Sequence, residues 1–191
     1  MAQSDTPFGF VPVGHLLGLP YTGKERMYRV AAAYGTAIFR GDLLKLGGSS
    51  DANGIPTVEV AAVGTPILGA VVSIIPNRDN LSQKYIPATT GGYVLVADDP
   101  YIIFEAQEDD ADGTTLAQAD IGLNCDFVAG SGSTLTGVSA YEIDRSTKGA
   151  GSDIGLKLLR LSQRQGNAFG AYSKYEVLIN EHCYKAPTAG A

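Results

Sequence analysis

The sequence predicts a mainly β protein: a small β-barrel or sandwich with an extended N-terminal arm and at most one or two short helices. Three observations carry this prediction. The 191 residues include 24 Gly and 9 Pro, a composition of many turns and few long helices. Between residues 40 and 75, short apolar or β-branched runs alternate with turn residues, and no catalytic motif interrupts them. Later, Leu156, Leu158 and Leu161 nearly alternate with Lys157 and Arg160, as Tyr175, Val177 and Ile179 do with Glu176 and Asn180, so each segment reads as a half-buried strand.

In chain order, residues 1–20 carry Pro7, Pro12 and Pro20 among Phe8, Phe10, Val11 and Val13. Proline blocks helix and removes ladder donors, while the apolar side chains need burial. This stretch therefore reads as an extended arm lying on its own body or on a neighbour. Residues 21–185 then form one β-rich domain, and residues 186–191 a flexible tail. Tyr28, Val30, Tyr34 and Ile38 read as core positions on short strands, with residues 31–33 (AAA) able to form a helical turn. A Gly41-Asp42 turn opens the run Leu43, Leu44, Leu46. Asn53-Gly54 predicts a hairpin through a type I′ turn, since both residues tolerate positive φ, and residues 58–63 and 67–75 supply two β-branched strands. Residues 93–96 and 101–107 read as a second hairpin, joined by the acidic turn Asp98-Asp99-Pro100. Residues 115–122 are the short-helix candidate, capped by Thr114 or Thr115 and ended by Gly122.

A formal net charge of −6 disfavours phosphate-backbone binding, so no direct nucleic-acid partner is expected. No Lys or Arg falls between Lys84 and Arg145, whereas eleven Asp and Glu do. Burying that many unpaired carboxylates would cost several kcal/mol each, so the acidic block 98–144 is expected in loops or facing solvent. With neither a basic-then-apolar leader nor a run of about 18 apolar residues, the chain reads as soluble, not Sec-exported and without a membrane partner. Cys125 and Cys183 are too few for a disulfide framework and read as free thiols in a reducing compartment.

Reactive motifs are sparse. Residues 108–113 space carboxylates before a glycine as a calcium loop does, but the closing bidentate glutamate would fall at Ala119, so a solvated acidic turn is preferred. Residues 130–133 and 149–152 are Gly-rich without the preceding strand and following helix of a phosphate loop, and read as connections. His15 and His182 are the only histidine bases, neither within a triad-like motif, and His182-Cys183 lacks the four-ligand spacing of zinc. The expectation is no catalytic, cofactor or metal site, and no enzyme activity.

Three blocks, residues 9–30 (GFVPVGHLLGLPYTGKERMYRV), 34–58 with 66–72 (PILGAVV), and 166–184 (GNAFGAYSKYEVLINEHCY), resemble the capsid decoration, or cement, proteins of tailed bacteriophages. Gly41-Asp42 before an apolar strand and Ile67-Leu68-Gly69-Ala70-Val71 are similar to the small β-barrel head decoration proteins, and Ala119-Asp120-Ile121-Gly122 echoes a short element of theirs. The resemblance implies a structural virion protein, assembled in the host cytoplasm. It would bind the outside of the phage head as a homotrimer and clamp capsomers of the major capsid protein. Phe8, Phe10, Val11 and Val13 are then the candidate capsid or subunit interface. Arg26, Arg29, Arg40, Lys45, Lys157, Arg160 and Arg164 are candidates for contact with an acidic shell. A tail or adhesin component is the nearest alternative. A small ligand-binding module or hydrolase is the more distant one, and would call for an aromatic platform that a chain without Trp does not advertise.

Overall fold

The computed structural model describes residues 3–110 and 115–187. Its strands are β1 (Val11–His15), β2 (Arg26–Val30), β3 (Leu43–Ser50), β4 (Pro56–Val60), β5 (Gly69–Ile75), β6 (Gly92–Ala97), β7 (Ile102–Gln107), β8 (Asn124–Val128), β9 (Glu142–Gly149), β10 (Leu156–Leu161) and β11 (Lys174–Ile179). The fold is mainly β, as the sequence predicts. Strands β2-β4-β3-β5-β6 close a small barrel, and β1-β7-β11-β10-β8-β9 form a six-stranded sheet.

The two units share a wall because neighbouring side chains on a strand point to opposite faces. Leu44, Val71 and Val96 point into the barrel beside Tyr28, Val30, Val58 and Val94. Their chain neighbours Leu43, Ala70 and Ala97 point the other way, onto Phe10, Phe104, Phe127, Leu156, Tyr175 and Val177 of the sheet. Parts of β3, β5 and β6 are thus buried on both faces. Gly69 permits this: a Cβ there would lie 2.1 Å from the Ala97 carbonyl oxygen.

The segment before β1 passes against Gly41. Phe10 N donates to Gly41 O at 2.9 Å, and a Cβ on Gly9 would meet the same oxygen at 2.6 Å, so the crossing needs glycine. Residues 11–15 then pair antiparallel with β7 at the sheet edge. Of the expected arm, residues 8–15 therefore lie on the body of the chain, the last five of them as a sheet strand, and residues 15–19 form a turn.

Several local expectations need correction. Asn53-Gly54 does link β3 to β4, but only Gly54 has positive φ (79°). Gly54 N donates to Asp51 O and Asp51 N to Ile55 O, while the Asp51 carboxylate accepts from Asn53 N and Ile55 N. The turn is therefore a type I turn with a glycine bulge, organised by Asp51, and not type I′. Strands β6 and β7 do not form a hairpin: β6 pairs with β2 and β5, β7 with β1 and β11, and the acidic turn carries the chain from barrel to sheet. The helix candidate shrinks to a 3-10 turn at Gln118–Asp120, and Thr114 lies outside the described residues. Strand β11 is buried on both faces rather than half-buried, because it is central.

Candidate docking surface

Past β1 the chain turns back at residues 15–19. Gly18 N donates to His15 O, His15 N to Leu19 O, and Leu16 N to Tyr101 O, each at 2.9 Å. The His15 ring holds the turn from inside: Nδ1 accepts from Leu17 N at 3.2 Å, which leaves the Nε2 proton for the Asp99 carboxylate 3.3 Å away. Burial pushes the Asp99 carboxyl up, but the Tyr101 N–H and His15 outweigh it and keep it below its ordinary value. On this rigid support Leu16, Leu17 and Leu19 stand 50%, 78% and 57% exposed. Val11 and Val13 continue the apolar strip along β1, each 39% exposed.

The four interface candidates therefore divide. Val11 and Val13 lie on the surface; Phe8 is partly covered, with the Arg164 guanidinium 5.7 Å from its ring centre. Phe10 is fully buried in the shared core, so its surface is spent inside the chain and it is not a docking residue. The leucines of the turn were missed as interface candidates. The signal was Leu16-Leu17-Gly18-Leu19-Pro20: three leucines around a turn glycine, stopped by proline, cannot all face a core.

The outer face of the sheet near this strip is charged. Val11, Glu105, Glu176 and Arg160 form a cross-strand row. Directly opposed glutamates repel, and arginines offset this: Arg164 lies 2.7 Å from Glu105 and Arg160 2.7 Å from Glu176. Ser162 Oγ also donates to Glu105 at 2.5 Å. Arg26 likewise pairs with Asp98 and Lys45 with Glu59, so four of the expected shell-binding cations already have intramolecular partners.

The acidic block is not simply solvated. Asp98, Glu105 and Glu108 are 3%, 4% and 0% exposed, each beside an arginine supplied by another segment. Arg145 is wholly buried against Glu108 and Asp110. Burial pushes Glu108 up to about 7 despite that guanidinium, and Glu142 to about 7 despite a 3.0 Å hydrogen bond from Gln107. Residues 111–113 of the calcium-like loop lie outside the described residues. Glu108 and Asp110 there face a guanidinium, and among the described residues no group of three His, Cys, Asp or Glu could hold a metal ion.

His182 is buried at the junction of sheet and barrel, where Ile67 bridges to it. Burial lowers it to about 4, keeping it neutral, and its Nδ1 accepts from Tyr184 N. Cys125 and Cys183 are free thiols. No helix among the described residues is long and apolar enough to cross a membrane. The chain matches no family model, no curated protein and no solved structure.

Proposed function

We propose that this chain is a structural virion protein that docks on the outside of a tailed-phage head and stabilises contacts between capsomers of the major capsid protein. The reading draws on the sequence resemblance described above. The observation that carries it is the leucine turn: three large apolar side chains held out in water on a hydrogen-bonded scaffold. Docking as a homotrimer would let three modest contacts sum to tight attachment.

Co-sedimentation with expanded, empty tailed-phage heads that lack a decoration protein tests the reading. Leu17→Ser should reduce attachment at least tenfold while the melting temperature stays within a few degrees. Attachment by an apolar turn should persist as salt is raised, because only exposed charges are screened. A steep loss with salt would shift the contact to the basic residues. No attachment by the unaltered protein would end the proposal. Light scattering should give three times the 19.9 kDa chain mass, and a monomer both free and on the particle would refute the trimer.

A further inference from the structure

A cleft of about 680 Å³ opens between the barrel and the sheet, away from the leucine turn. Residues 35–37 and the end of β4 form one side, and the Gly130-Ser131-Gly132 connection after β8 forms the other. The rings of Phe39, Phe127 and Tyr141 line it; Phe39 stacks on Tyr85 at 4.9 Å, and Phe127 on Tyr141 at 5.8 Å. The volume is that of a small-molecule or single-side-chain site.

Asp42 lines this cleft and is 2% exposed. Its Oδ2 accepts from Phe39 N at 2.8 Å, while its Oδ1 is buried with no hydrogen-bond partner among the described residues. Burial raises the carboxyl to about 6, against the opposite pull of the Ser139 hydroxyl and the Phe39 N–H. Asp42 in turn helps raise the Tyr141 phenol, after burial, which places the two groups together. Every Lys and Arg of the chain lies within the described residues, yet none lines the cleft. A buried carboxylate oxygen without a partner is costly, and a cation from outside is what would repay it.

We propose that the cleft binds an organic cation, an ammonium or guanidinium on an apolar stem, with its charge toward the Asp42 carboxyl group and its stem among Phe39, Phe127 and Val60. A free alkylamine and the lysine or arginine side chain of a docked protein share this chemistry. The assignment does not depend on the capsid reading.

Heteronuclear NMR of the full chain tests it with n-butylammonium at millimolar concentration, against n-butanol and butyrate. The ammonium should give saturable shifts at the amides of Phe39, Asp42, Ala61 and Tyr141, and the alcohol and butyrate should not. Asp42→Asn keeps an acceptor for Phe39 N and should weaken the ammonium about tenfold or more, the scale of one lost charge-assisted hydrogen bond. Ala62→Phe, at an exposed rim position, blocks the cleft without touching the core and should abolish the shifts. A lysine-containing tripeptide amide that shifts the same amides as strongly as butylammonium assigns the source as a protein side chain; response to butylammonium alone assigns a free amine. The proposal is overturned by the absence of saturable shifts at these residues, by equal binding of the alcohol, or by unchanged binding in the Asp42→Asn or Ala62→Phe variant.

Discussion

Buried carboxylates and the arginine among them shape how the stability of this protein changes as pH rises. One buried guanidinium faces Glu108 and Asp110, so Arg145→Met strands buried negative charge and should cost about 3–5 kcal/mol, read from the urea midpoint. A carboxyl raised in the folded state binds its proton more tightly there than in the unfolded chain. Its stabilising effect is therefore complete below the ordinary value near 4.5 and is lost as pH rises through about 7, the window for Glu142. Glu142→Gln should flatten the fall in melting temperature between pH 5 and 8; an unchanged slope would remove Glu142 from the account. The sequence argument that unpaired carboxylates avoid burial was sound, but its condition was not legible. The partner of Glu108 stands 37 residues away, brought close only by the register of β9.

The segments on either side of strand β1 divide two roles between them, and substitutions should separate them. Phe10, in the segment leading into it, is fully buried, so Phe10→Ala should cost about 3–5 kcal/mol, measurable by denaturant unfolding. Removing residues 1–13 takes the same ring away, so it should lower the melting temperature as well as any attachment. Leu17→Ser, at 78% exposure, should leave stability nearly unchanged. Within-strand patterns were readable, as for Tyr28 and Val30 or Leu156 and Leu158. Pairing was less so: the Asp51-centred turn keeps its partners adjacent in sequence and was found, whereas the Asp98-Asp99-Pro100 turn looks like a hairpin and is a crossover. Nothing local says that β7 prefers β1 and β11 to β6, because that choice is made by burial of Phe104 and Ala106 against the shared wall.

Across the whole molecule, the doubly buried stretches of β3, β5 and β6 couple the barrel to the sheet. Leu43→Ala and Leu44→Ala point into different cores, yet each should lower a single unfolding transition, with far-UV and near-UV circular dichroism coincident. Two separated transitions would show that the units fold independently. The fold class followed from composition and turn spacing, but the existence of two cores did not. The alternation Leu43, Leu44 reads simply as a hydrophobic run unless the second sheet is known.

Strand order also sets a timetable for biosynthesis. The barrel strands are all made once Ala97 leaves the ribosome, but the sheet needs β11, the last of the described strands, at its centre between β7 and β10. Until Lys174–Ile179 emerge, β7 lacks its central neighbour, and the outward side chains Leu43, Ala70 and Ala97 lack the cover of Tyr175 and Val177. While residues 98–173 are being made the nascent protein therefore carries a greasy, half-dressed barrel, the kind of intermediate that chaperones hold and that aggregates when synthesis stalls.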